Sequence, residues 1–208
     1  MRVLVGCEFS GTVRDAFAKR GHDAWSCDLL PTEKPGNHFQ RDVLEVIGMG
    51  WDLAIFHPPC TYLTSSGLHW NKRVPGREQK TQESLAFVRA LLNAPIPRIA
   101  LENPIGRIGT AIRPADQTIQ PYEFGHDASK ATCLWLKGLS KLKPTLIVPP
   151  RLVGGKKRWA NQTDSGQNKL GPSDDRWKLR SYTYEGIAEA MADQWSNIVA
   201  DQQLLLSV

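Results

Sequence analysis

Three short clusters in this 208-residue chain carry side chains able to do covalent or acid–base chemistry. The first is His57-Pro58-Pro59-Cys60. A cysteine behind two prolines sits on a stiff backbone with few alternative orientations, which suits a nucleophile. A small residue capping a strand would look the same. The second is Glu102-Asn103-Pro104, where a carboxylate closes an apolar run. Desolvation there is expected to raise its pKa, so that it can hold or donate a proton, and Asn103 also reads as a helix or turn cap. The third is Gly6-Cys7-Glu8-Phe9-Ser10-Gly11, a tight loop whose glycines let the backbone approach a ligand closely. It fits neither the dinucleotide nor the P-loop spacing. Asp28 ends the next apolar run and can accept hydrogen bonds from a ribose diol, or simply form a turn.

The elements that must position these clusters follow from hydrophobic periodicity. Residues 2–5, 23–27, 53–56 and 99–101 read as buried strands, and 131–136 and 145–148 as late strands. Residues 12–20, 78–92 and 184–199 read as helices, the last with Ile187, Ala188, Met191, Ala192 and Trp195 on one face. Residues 43–47 are ambiguous. Residues 61–77 read as a long loop, and 149–180 show no clear period. Strands alternating with helices imply an α/β fold with a mostly parallel sheet covered on both faces. Ligands of such sheets bind at the carboxyl ends of the strands, where all the special residues fall.

Bulk properties narrow the partners. The net charge is +5, and residues 151–180 carry all of it, with eight basic and three acidic side chains. That is the footprint of a phosphate-binding surface, or of a solvated loop. The four cysteines, Cys7, Cys27, Cys60 and Cys133, form no CxxC pair and no metal-ligand pattern, so no metal is expected. Cys7, Cys27 and Cys133 read as packing residues. No stretch approaches the ~20 apolar residues of a membrane span, and no signal-peptide pattern stands at the start, so the chain is expected to be cytoplasmic.

Taken in order, these clusters resemble the DNA cytosine-5 methyltransferase family, closest to short phage-type members lacking a large target-recognition domain. Pro59-Cys60 matches the family's Pro-Cys nucleophile and Glu102-Asn103 its Glu-Asn motif, about 40 residues apart and each after a strand. The loop of Cys7, Glu8, Phe9, Ser10 and Gly11 resembles the cofactor loop, with Phe9 near the adenosine. Asp28, with Leu29 beside it, matches the acidic ribose ligand, and Asp42 the acidic residue near the adenine. Pro58 and Tyr184 would complete the cofactor site, Tyr184 opening the closing helix, and Lys130 stands where a cation could hold the cytosine O2 or be a plain surface lysine. The resemblance implies a Rossmann-like S-adenosylmethionine-dependent methyltransferase fold, a single domain over residues 1–208, with the basic loop 149–180 in the slot of a recognition domain. Departures are Thr61 for the usual Gln, Pro104 for the usual Val, and no evident Gln-Arg-x-Arg strand.

The same resemblance implies transfer of a methyl group to carbon 5 of cytosine in DNA. Cys60 would attack carbon 6, and Glu102 would stabilise charge at N3. A target base inside a duplex must be flipped out. His69, Trp70, Lys72, Arg73 and Arg77 would close over it, and Lys156, Lys157, Arg158, Lys178 and Arg180 would meet phosphate. Trp159 and Trp177 offer ring faces, or packing for an irregular loop. Three other readings stand beside this one: a free cytosine nucleotide as substrate, an amino-group methyltransferase, and a catalytically silent DNA-binding decoy. The amino-group enzymes carry Asp, Asn or Ser, then two prolines and an aromatic, after the same strand. Here His57 and Cys60 occupy those end positions, which favours ring-carbon chemistry.

Overall fold

The structure, a computed structural model, describes residues 1–196; residues 197–199, expected to end the last helix, lie outside the described residues. Its centre is a seven-stranded sheet. In chain order the strands are β1 (Arg2–Gly6), β2 (Asp23–Asp28), β3 (His38–Gln40), β4 (Leu53–Phe56), β5 (Arg98–Pro104), β6 (Gln117–Ile119) and β7 (Thr132–Lys137). They lie in the order β3-β2-β1-β4-β5-β7-β6. Every pairing from β3 across to β5 is parallel, and β7 runs antiparallel between β5 and β6. This is the mostly parallel α/β sheet that the alternation of elements predicts, in the Rossmann-like form that the resemblance implies.

The central strands read as unbroken apolar runs because both faces are covered. Val3, Leu4 and Val5 of β1 and Leu53, Ala54, Ile55 and Phe56 of β4 have no solvent exposure. One face packs against α1 (Thr12–Ala18) and α6 (Glu185–Ser196), through Val13, Phe17, Ile187, Met191 and Trp195. The other packs against α3 (Arg77–Leu92), through Leu85, Val88 and Leu91, and against the short α4 (Arg107–Ala111), through Ile108.

Several segments differ from expectation. Residues 61–77 are not one loop: they contain α2 (Ser65–Leu68) and a 3-10 turn, His69–Lys72. The ambiguous stretch 43–47 holds a 3-10 turn, Val43–Glu45, whose Leu44 amide is capped by the Asp42 side chain. Residues 145–148 form no strand, because Leu146 and Ile147 are exposed and only a single bridge, to Phe124, reaches them. The region 149–180 is ordered rather than featureless. It holds a hairpin of β8 (Arg151–Val153) and β9 (Lys156–Arg158), then α5 (Arg176–Ser181).

Candidate active site

Parallel register places the chemistry in one row. Cys27, Gly6, Phe56 and Leu101 are paired across β2, β1, β4 and β5. One step further along the four strands brings Asp28, Cys7, His57 and Glu102 side by side at the carboxyl edge of the sheet. The His57 amide donates to the Gly6 carbonyl at 2.9 Å, so the edge stays laced beyond the last β4 residue. Cys7 is the one described non-glycine residue with positive φ, 59°, a strained conformation of the kind that gathers at functional sites.

Cys60 follows in a tight turn. Its carbonyl accepts from the Leu63 and Thr64 amides at 3.0 and 3.1 Å. Asn103 donates from Nδ2 to the buried Pro58 carbonyl at 2.8 Å, and so ties the Pro-Pro-Cys segment to the end of β5. A second tie joins the following residues: Arg107 N–H donates to the Leu63 carbonyl and Ser65 N–H to the Ile105 carbonyl. Gly106 makes this approach possible, since a Cβ there would stand 1.9 Å from the Leu63 carbonyl oxygen.

Pro59 lines one of two cavities in this region and Pro104, at the end of β5, lines the other; Cys60 and Glu102 line neither. The first, about 330 Å³, is lined by Cys7, Asp28, Leu29, Asp42 and Pro59, together with Cys27, Arg41, Val43, Glu83, Ser84 and Phe87. Asp28 is half-buried, and burial raises its pKa against a hydrogen bond from the Leu30 amide. Burial, and then the charge of Asp28, also push the Cys7 thiol far up, so it is a neutral wall group. Sequence reasoning missed Arg41, Glu83, Ser84 and Phe87; the last three share one face at the middle of α3, a signal present only once α3 is docked.

The second cavity, about 690 Å³, is lined by Pro104, Ser129, Lys130, Ala131, Arg180 and Tyr184 among others, its outer wall coming from residues 161–184. Tyr184 therefore stands at this cavity and not at the first. Lys130 donates from Nζ to the Arg180 carbonyl at 2.8 Å.

Electrostatics link the two sides. Burial raises the Cys60 pKa, the Glu102 charge raises it further, and Arg180 and Lys130 oppose both. Glu102 corrects the expectation of a raised carboxyl. Burial does push it up, but the His57 hydrogen bond and charge, then Lys130 and Thr132, outweigh burial and hold it below the ordinary glutamate range. The resting site thus pairs a protonated thiol with a carboxylate.

Other expected site residues are engaged elsewhere. Glu8 is buried and accepts from the Val13 amide at 2.6 Å and the Arg14 amide at 3.3 Å, so its carboxylate caps α1; burial raises its pKa. Ser10 donates to Glu8, and Gly11 is the left-handed N-cap of α1. Phe9 packs on Trp177 and Tyr182, with ring centroids 6.1 and 5.9 Å away, rather than facing the first cavity. Pro58 is buried and contributes its carbonyl.

Of the expected phosphate contacts, three cations are committed within the chain. Arg77 donates to the Thr61 carbonyl beside Cys60 and lies over the Tyr62 ring. Arg158 donates to the Asp164 carbonyl, and Lys178 pairs with Glu33 at 2.5 Å. His69, Trp70, Lys72 and Arg73 are exposed, as are Lys156, Lys157 and Arg180. Trp159 is packed face to face on Tyr122, centroids 4.1 Å apart, whereas Trp177 is 58% exposed.

Among the described residues no helix is long and apolar enough to cross a membrane, and no group of three or more His, Cys, Asp or Glu side chains could hold a metal ion. No family model matches the chain, and no curated protein matches it. A solved structure of a prophage-encoded E. coli protein, named as a candidate DNA modification methyltransferase, is similar at 16% identity over 72% of this chain, with a TM-score of 0.47. This chain spans about half the length of that one, 52%.

Proposed function

We propose that this chain is an S-adenosylmethionine-dependent methyltransferase acting on carbon 5 of cytosine in DNA. The observation that carries the reading is the position of the Cys60 turn. Pro59 lines one cavity, while the charges acting on the Cys60 thiol are those of Glu102 and of Lys130 and Arg180, which line the other. The first cavity suits an adenosine. Asp28 offers a carboxylate to ribose hydroxyls, Asp42 an acceptor for an exocyclic amine, and Val43, Phe87 and Leu29 offer apolar walls. S-adenosylmethionine, when bound, supplies an electrophilic methyl group.

The remaining steps belong to the chain's own residues. Attack needs a thiolate and an acid, and the resting site holds a thiol and a carboxylate. Net passage of one proton from Cys60 to Glu102 converts one state into the other. It also removes the Glu102 charge that holds the thiol pKa up. The sulfur then adds to carbon 6 of the ring, Glu102 shares its proton with N3, and carbon 5 becomes an enamine carbon. Once carbon 5 carries the methyl group, loss of its proton and departure of the Cys60 sulfur restore the aromatic ring. Lys130 and Arg180 lie on the side where the base and its phosphate would enter.

The test is transfer of labelled methyl from S-adenosylmethionine to duplex DNA, single-stranded DNA and dCMP, with the product base identified. Label on carbon 5 of cytosine in DNA supports the reading. Label on an exocyclic amine, on dCMP alone, or on nothing overturns it.

A further inference from the structure

The residue just before the two prolines belongs to neither motif, yet it lies within hydrogen-bond reach of the candidate acid. His57 continues the β4–β5 ladder one step beyond the Phe56–Leu101 pair, so it stands opposite Glu102 on the same side of the sheet. Its Nδ1 lies 3.3 Å from Glu102 Oε2, and the two side chains are 8% and 19% exposed. An ionised carboxylate only accepts, so Nδ1 carries the hydrogen. Nε2 is buried with no hydrogen-bond partner. Such an atom is costly unless the ring serves something else.

We propose that His57 is the positioning residue of this site: its Nδ1–H holds Oε2 of Glu102 and fixes the plane in which that carboxylate meets the ring nitrogen of the substrate base. The inference rests on the reading of the site given above. The other neighbours of Glu102 are less able to orient it. Lys130 spends its ammonium on the Arg180 and Tyr182 carbonyls, and the Thr132 hydroxyl, the smallest of the influences on Glu102, also donates to the Lys130 carbonyl at 3.2 Å. His57 is held rigidly, by its amide bond to Gly6 and by the two prolines that follow.

The groups facing the imidazole come from three elements. Glu102 projects from β5, Glu8 from the loop after β1, and Tyr182 borders the same small cleft of about 20 Å³ that His57 and Glu8 line. Lys130 and Arg180 act one neighbour further out, on Glu102 and Cys60. His57 is the largest of the influences that keep Glu102 ionised, so its removal lets Glu102 take up a proton at higher pH.

Two variants test this. His57→Phe keeps the ring volume and removes both nitrogens, while His57→Asn keeps an N–H near the place of Nδ1. The Glu102 carboxyl is followed by its ¹³C signal, assigned by its loss in Glu102→Gln. It should lose its charge at higher pH in His57→Phe than in the parent chain, with His57→Asn between them. Should His57→Phe not fold, the His57→Asn shift alone decides. In methyl transfer, His57→Phe should lower kcat about 100-fold with KM for DNA unchanged, the cost of a misaimed catalytic group, and His57→Asn should recover part of it. A Glu102 signal that titrates as in the parent chain, or an unchanged kcat, overturns the proposal. If the parent chain transfers no methyl group to cytosine while the Glu102 signal still shifts, the clamp stands and the functional reading falls. If neither is seen, both fall.

Discussion

The two cavities that Pro59 and Pro104 line are built in different ways. The first is made by strand ends: Cys7, Asp28 and Pro59 stand at or just after β1, β2 and β4, and parallel register alone sets them side by side. The second is made by segments far apart in the chain, Pro104 at the end of β5, Lys130 before β7, and residues 161–184. A wall of strand ends inherits the rigidity of a fully buried sheet. A wall of turns and a short helix rests on a few side-chain contacts, such as Lys178 with Glu33. Residues on the sheet edge and its turn should therefore be nearly irreplaceable, whereas those of the outer wall should tune affinity and access.

The largest expected effect is at the nucleophile itself. Cys60→Ser should reduce methyl transfer by at least about 10⁴-fold, as removal of a nucleophile does, while DNA retention in a gel-shift assay stays at the parent level. A catalytically silent DNA-binding chain would show no transfer in either form. Next is the join between the nucleophile turn and the end of β5. Gly106→Ala puts a Cβ against the Leu63 carbonyl, so the Cys60 turn must move. We expect roughly 100-fold lower kcat and about 1–3 kcal/mol lower stability by denaturant melt. If Gly106→Ala is as active as the parent chain, the sheet edge is not the rigid partner in this comparison.

The contrast also decides what could be read from the sequence. Cys60 and Glu102 are legible because each follows a buried apolar run, and Asp28 because it ends one. The pairing of His57 with Glu102 is not legible, since it depends on the register of β4 against β5. For the same reason the sign of the Glu102 shift is hidden: desolvation can be guessed from a run of apolar residues, but the opposing His57 and Lys130 lie 45 and 28 positions away. The hairpin of β8 and β9 did have a signal. Gly154-Gly155 is a two-residue turn of the sort that joins antiparallel strands, and the basic composition of its surroundings obscured it. Helix α5 has only six residues, too few for periodicity to speak. Glu8 and Phe9 look like ligand-loop residues by position, yet one caps α1 and the other packs on the outer wall.

A smaller effect is expected within the first cavity. Asp28→Asn should weaken S-adenosylmethionine binding by about tenfold in calorimetry, the scale of one charged hydrogen bond. Burial raises the Asp28 pKa, so this carboxyl takes up a proton at higher pH than an ordinary aspartate. Cofactor affinity of the parent chain should then begin to fall, on acidification, above the usual aspartate range, and the Asn variant should lack that fall.

The smallest effect belongs to the outer wall, and it measures how loosely that wall is attached. Glu33 accepts from the Tyr182 hydroxyl at 3.0 and 2.9 Å and pairs with Lys178, and those contacts, Lys178 foremost, hold its carboxyl below the ordinary glutamate range. A group with a depressed folded-state pKa contributes its stabilisation above its unfolded value and loses it as pH falls through the folded one. Docking of α5 onto the Phe9 loop should therefore be intact at neutral pH and weaken below the usual glutamate range. Both partners are partly exposed, so solvent screens the pair and the whole-chain melting temperature should barely move. Hydrogen exchange of the α5 amides is the suitable readout. Glu33→Gln should speed it at neutral pH and remove its acceleration in acid, while the amides of β1 and β4 exchange as before. Equal acceleration in the strands would mean that the two walls open as one unit, and the distinction between them would be lost.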